Sequence, residues 1–234
     1  MSIKIVVMSC DRYGKYTNDL FHHCIEKYWK NHPEVIYCTE TSTNPYYQTI
    51  NVDLPVQQWT RRLHKALEQI DNDIVLVVPD DTFIRSKVND KVIKKLCSYI
   101  DDKLIAINLE PAFDCIPCNE ILSIRNPNGK WLTSFMPQLW NKNKLMELIK
   151  DKDLNPRQAE NLGTNKYAFG IIATGEKDFD FGKRLNVYPY AIVEGKWAYE
   201  MIDFCKQENI EIDFSELGFF VKKGGKWWKF MFVR

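Results

Sequence analysis

The sequence predicts an α/β domain: a mostly parallel central sheet flanked by helices, an irregular second half and a carboxyl-terminal β-hairpin. Three observations carry this. The chain opens β-α-β, with an apolar run at Lys4 to Met8, a helical recurrence at Phe21, Cys24, Ile25 and Tyr28, and a second apolar run at Val35 to Thr39. Further along, Ile74 to Val78 is an unbroken run of β-branched residues and leucine closed by Pro79, the signature of a strand buried on both faces. That run ends in Asp80-Asp81-Thr82-Phe83, two adjacent carboxylates where a buried strand has to surface. In open α/β sheets ligands collect at the carboxyl ends of the parallel strands, so the acid pair is the first candidate site; the competing reading is a turn that uses aspartate for local hydrogen bonding.

The elements follow in order. After the first strand, SCDRYGKYTND is rich in polar and turn-forming residues and reads as a loop before the helix, which ends ahead of His32-Pro33. The polar stretch from Thr41 to Leu54 reads as a loop with a short strand near its end. Trp59, Leu63, Ala66, Leu67 and Ile70 keep helical spacing, which leaves Arg61, Arg62 and Lys65 on other faces, as a solvated surface or a basic patch. After the acid pair, Val92, Ile93, Leu96 and Ile100 mark a helix and Leu104 to Leu109 a strand. Periodicity breaks from Glu110 to Lys130, where Asn-Pro and Asn-Gly pairs mark turns. Leu132 to Trp140 reads as a mixed strand, Asn141 as a helix N-cap, and Leu145, Leu148 and Ile149 as the apolar face that follows. A polar segment with Glu160 comes next, then a strand over Tyr188 to Val193 and helical spacing at Trp197, Met201 and Cys205. The tail reads as a hairpin turning at Gly224-Gly225, with Lys222, Lys223, Lys226, Lys229 and Arg234 set among Trp227, Trp228, Phe230 and Phe232.

Composition bounds the function classes. A chain of 234 residues that is 45% hydrophobic can bury one sizeable core, so a single domain over 1–234 is expected, in two parts, 1–109 and 110–234. A net charge of +1 excludes a uniformly basic nucleic-acid glove and leaves the tail as the basic feature. No run approaches the roughly 18 apolar residues of a membrane span, and the first apolar run is too short for a signal peptide, so a cytoplasmic chain is expected. Seven scattered cysteines read as reduced thiols. Cys115 and Cys118 form a C-x-x-C pair, but no second ligand pair accompanies it and the histidines have no metal-ligand spacing. The absence of a Gly-x-Ser-x-Gly elbow argues against an acyl hydrolase, and the absence of a glycine-rich, lysine-bearing loop after the first strand argues against a nucleotidyltransferase.

The order of motifs carries more than any one of them. SCDRYGKY after the opening strand, a W-x-x-R-L-x-x-A-L helix, an apolar strand ending in DDTF, FMPQLWNK and a later YPYAIVEGKW together resemble nucleotide-sugar glycosyltransferases of the GT-A fold, in particular a group from bacterial surface-polysaccharide clusters. The resemblance covers most of the chain through short motifs: Asp80 to Phe83, Asn155-Pro156 with Glu160, and Gly195-Lys196-Trp197. It departs from the family where two adjacent carboxylates stand in place of Asp-x-Asp, and where Thr82 takes an aromatic position.

The resemblance implies transfer of a sugar, hexosyl or pentosyl, from a nucleotide-diphosphate sugar, with a UDP-sugar first, to a hydroxyl of a polysaccharide or lipid-linked oligosaccharide. Residues 1–109 would hold the donor and 110–234 the acceptor. Such transfer needs a donor pocket, a positive charge for the departing diphosphate and, in an inverting enzyme, a carboxylate for the acceptor proton. Ser9, Asp11, Arg12 and Tyr13 are the expected donor loop; Asp80 and Asp81 the expected ligands of Mg2+ or Mn2+; Arg61, Arg62 or Lys196 the alternative for a metal-independent enzyme. Trp197 is expected at the substrate. Adjacent carboxylates should have different tasks, with Asp81 nearer the diphosphate. Glu160 is the expected base, ahead of Glu110 and Asp114. The basic aromatic tail would contact the inner membrane face or a polynucleotide, the latter being the mark of a phage-type enzyme that glycosylates modified DNA bases. A reading from another class is a nucleotide- or sugar-binding module without turnover.

Overall fold

The computed structural model describes residues 3–109, 115–129, 132–162, 166–173, 191–223 and 226–230. In chain order the elements are β1 (Ile3–Met8), α1 (Asp11–Tyr28), β2 (Val35–Thr39), β3 (Gln48–Asn51), α2 (Trp59–Leu67), β4 (Ile74–Pro79), α3 (Asp90–Cys97), β5 (Leu104–Asn108), β6 (Cys115–Pro117), β7 (Leu122–Arg125), β8 (Gln138–Asn141), α4 (Lys142–Ile149), α5 (Pro156–Ala159), β9 (Ala168–Ile172), β10 (Ile192–Val193), β11 (Lys196–Ala198), α6 (Met201–Glu208), β12 (Phe219–Lys223) and β13 (Lys226–Phe230). Nine strands form one sheet in the order β3-β2-β1-β4-β8-β5-β9-β7-β6, and four form a second, β10-β11-β12-β13.

The expected α/β class, a large central sheet with helices on both faces, is what the chain adopts. β3, β2, β1 and β4 are parallel to their neighbours. β8 opposes both β4 and β5, β9 runs with β5, β7 opposes β9 and β6 opposes β7. Within this sheet, among the described strands, only β7 and β8 therefore run against the rest. Alternation sends one set of side chains to each face. Ile5, Val7, Tyr37, Leu76 and Val78 pack with Leu20, Phe21 and Cys24 of α1, Ile93 and Leu96 of α3, and Phe204 of α6. Val6, Met8, Ile36, Val75 and Val77 pack with Leu63 and Leu67 of α2 and Leu145 and Ile149 of α4. β4 is buried on both faces through Val78, as its composition dictates, each such side chain contributing about 1.5–3 kcal/mol.

Four expectations are corrected. The loop expected over SCDRYGKYTND is only Ser9 and Cys10: α1 begins at Asp11, because its buried face continues through Gly14 and Thr17, which carry no apolar signal. The strand expected from Leu132 shrinks to Gln138–Asn141, since Pro137 lacks the N–H that a central strand must donate. Glu194 to Tyr199 is not helical; Glu194 and Gly195 both take positive φ, 49° and 78°, and turn β10 into β11. β9 lies partly within the stretch read as polar, buried from Phe169 to Ile172. Asn141 caps α4 as expected, its side chain accepting from Lys144 N at 3.1 Å. The tail hairpin pairs β12 with β13 antiparallel, with its turn and its basic and aromatic side chains outside the described residues, as are 188–190, Glu110 and Asp114.

Candidate active site at the carboxyl ends of the strands

β1 and β4 are adjacent and in register, Met8 opposite Pro79, so the residues that follow them emerge side by side. The β1–α1 connection is only two residues long. It brings Ser9, Cys10 and the first turn of α1 against Asp80. A further part of the site comes from α5, a single turn set by a capping box: the Asn155 side chain accepts from Gln158 N at 2.9 Å, and the Gln158 side chain accepts from Asn155 N at 3.0 Å. Its Pro156, Arg157 and Glu160 face the same space. The result is a cavity of about 480 Å³ lined by these residues with Tyr13, Trp59, Arg62 and Phe135, and by Ile192 to Gly195 of the β10–β11 hairpin.

The two aspartates have different partners. Asp80 is buried, and its Oδ2 accepts from Ser9 Oγ at 2.6 Å and Thr17 Oγ1 at 2.8 Å. Asp81 holds the hairpin: its carbonyl accepts from Ala191 N at 2.8 Å and its Oδ2 lies 3.4 Å from Ile192 N. Burial and then the neighbouring Asp80 charge push the Asp81 carboxyl up to about 8. Burial raises Asp80 as well, opposed by the Ser9 and Thr17 hydroxyls and the Arg62 charge. Glu160 is raised by burial against the pull of Arg157. Cys10 is pushed up to about 11 by burial and by Asp80, so at neutral pH it is a thiol and not a nucleophile.

Ser9, Tyr13, Arg62, Asp80, Asp81 and Glu160, distant in sequence, thus line one cavity. Arg62 is not on a solvated face: it is 1% exposed, ion-paired with Glu40, and its Nε finds no hydrogen-bond partner among the described residues. Other expected residues lie elsewhere. Asp11, despite some burial, is held well below the usual carboxylate range by the backbone and hydroxyl donors of Thr41 and Ser42, so it ties α1 to the loop after β2. Arg12 is exposed and lies over the Tyr13 ring at 5.0 Å, while Arg61 pairs with Asp153 at 2.8 Å on the surface. Lys196 does not line the cavity.

Trp197, expected at the substrate, has no exposed surface; its ring packs edge-on against Tyr16 and Phe214 at 6.4 and 5.4 Å. Trp197→Ala is therefore expected to lower stability by about 3–5 kcal/mol in urea unfolding; an unchanged midpoint would contradict a core role. Two charged lining residues have no place among the sequence candidates. Arg157 sits inside the very Asn-Pro-x-x-x-Glu segment that singled out Glu160, and Glu194 precedes Gly195 in a two-residue Glu-Gly turn that hairpin rules could have signalled.

Among the described residues no group of three or more His, Cys, Asp or Glu could hold a metal ion, and no helix is long and apolar enough to cross a membrane. No protein-family model matches the chain, and no curated protein matches it. Among solved structures it is similar to S. aureus TarS, at 15% identity and a TM-score of 0.45 over 76% of this chain and 38% of that one. It is similar to TarS 1–349 in complex with UDP-GlcNAc, at 16% and 0.43 over 72% and 56%. It is also similar to CMP:2-keto-3-deoxy-manno-octonic acid synthetase complexed with CTP, at 12% and 0.45 over 73% and 89%. The chain spans less than two thirds of the TarS chains to which it is similar.

Proposed function

We propose that the chain is a glycosyltransferase that moves a sugar from a nucleotide-diphosphate sugar to a saccharide hydroxyl. The observation that supports this reading is the convergence in one cavity of the acid pair after β4, Asp80 buried and Asp81 half-buried, with a buried arginine and a separate half-buried glutamate at the end of α5. In that reading Arg62 supplies positive charge to the donor from the cavity wall, and Tyr13 bounds the donor side. Asp81 faces the diphosphate, and Asp80 accepts from a donor hydroxyl. Glu160 takes the proton from the attacking acceptor hydroxyl; its raised pKa suits a group that must bind a proton and release it again. Mg2+ and Mn2+ are commonly bound by one or two carboxylates together with substrate phosphates; with Asp80 Oδ2 taken by Ser9 and Thr17, Asp81 is the carboxylate that would hold such a cation beside the diphosphate, where it would neutralise charge on the leaving group.

The test is a thermal-shift series with UDP-, GDP-, CMP- and dTDP-sugars, with and without Mn2+. UDP-sugars come first, since TarS, similar in fold, is seen with UDP and UDP-GlcNAc. A donor at about 100 times its Kd is expected to add about 2.7 kcal/mol of stability. Release of the nucleoside diphosphate on adding a saccharide acceptor then reports glycosyl transfer. Release of pyrophosphate from a nucleoside triphosphate would instead report nucleotidyl transfer and overturn the reading, as would the absence of any shift.

A further inference from the structure

Among the described residues, the side chains that grip Asp80 do so through one oxygen. Both hydroxyls that reach it, Ser9 Oγ at 2.6 Å and Thr17 Oγ1 at 2.8 Å, donate to Oδ2. Thr17 has no exposed surface, so its hydroxyl is shut off from water, and Ser9 is buried at the cavity wall. They come from different elements, Ser9 from the end of β1 and Thr17 from the second turn of α1. The carboxylate is thereby fixed both to the sheet and to the helix. Gly14 makes the approach feasible: a Cβ there would stand 2.8 Å from Ser9 Oγ and 4.0 Å from Asp80 Oδ2. A side chain at position 14 would push the serine off the aspartate.

We propose that Thr17 is a positioning residue for the reaction: with Ser9, and in the space that Gly14 leaves, it locks the Asp80 carboxylate through Oδ2 and reserves Oδ1 for a hydroxyl of the bound donor. This deepens the reading of the cavity as a nucleotide-sugar site and rests on it for the identity of the ligand. The lock itself is a property of the protein's own atoms. A buried carboxylate between neighbours would otherwise choose among rotamers, and a fixed acceptor is worth more to an oriented substrate than a mobile one. Sequence periodicity could not have pointed to Thr17, a polar residue on the buried face of a helix, where its hydroxyl already reaches toward the carbonyl oxygens of Tyr13 and Gly14 at 3.4 Å.

The experiment compares Thr17→Val, which keeps the shape and removes the hydroxyl, with Thr17→Ser, which restores it, and uses Ser9→Ala to reach the same lock from the strand side. Crystal structures of wild type and the three variants, without ligand, are expected to show Asp80 in one rotamer in wild type and T17S, and in more than one, or displaced, in T17V and S9A. With a donor that wild type turns over, kcat in T17V is expected to fall at least about tenfold with KM changed less than threefold, and T17S to recover most of the loss. A general packing defect would not be rescued by serine, which is smaller than valine. Asp80 in an unchanged single rotamer in both T17V and S9A overturns the proposal whether or not any donor is found. A displaced Asp80 in a protein that turns over no nucleotide sugar leaves the lock standing and removes the reading of the reaction.

Discussion

Replacing Asp81 by asparagine is expected to lower transfer by about 100- to 1,000-fold and, in the same protein, to raise stability at alkaline pH. Both effects have one cause. Burial and the adjacent Asp80 charge hold the Asp81 carboxyl at about 8 against an ordinary 3.8. The folded chain therefore keeps a proton that the unfolded chain gives up above about pH 4, and stability falls as pH rises from there through about 8. Asp80, also raised by burial, adds a slope of the same sign. Asparagine keeps the shape of Asp81 and carries no charge, so the variant loses the Asp81 part of this slope and gains stability over wild type most at pH 9. Urea unfolding at pH 5, 7 and 9 measures it, beside kcat for the best donor. A variant with wild-type transfer takes Asp81 out of the mechanism; equal pH slopes for variant and wild type contradict its charged burial.

The second large effect is expected at Glu160→Gln: a loss of about 100- to 10,000-fold in transfer with donor binding retained. Glu160 must be ionised to accept a proton, and burial lifts its pKa above the ordinary 4.5, with Arg157 pulling the other way. The acid limb of kcat/KM against pH should therefore lie above the range of a solvated glutamate, and glutamine should remove that limb together with most of the rate. Transfer within threefold of wild type would assign the proton to another group, with Glu194 on the hairpin the next carboxylate lining the cavity.

Local pattern was readable where one element could be recognised from its own residues. The unbroken apolar run of β4, the helical spacing of α2 and α3 and the Asn141 cap all depend on contacts within a few positions of chain, and each is present. The start of α1 was not readable, because Gly14 and Thr17 are buried for the sake of Asp80, some sixty residues away, and not for hydrophobicity. β8 was readable as a strand but not as one inserted antiparallel between β4 and β5, since direction and neighbour are properties of the sheet. Trp197 looked like a substrate contact for lack of any local sign of the Tyr16 and Phe214 rings that enclose it.

The sequence by itself determined the α/β class, the buried strand that ends in two carboxylates, and the Asn141 helix cap. Those are fixed by side-chain periodicity and by turn chemistry, which act over one element at a time. The tertiary structure alone decided that Asp80 is tied to α1 while Asp81 carries the β10–β11 hairpin, that Arg62 is buried against the cavity, and that Asp11 closes a loop. Those assignments come from burial and from hydrogen bonds between elements, and a carboxylate's partner and pKa depend on what the fold brings next to it.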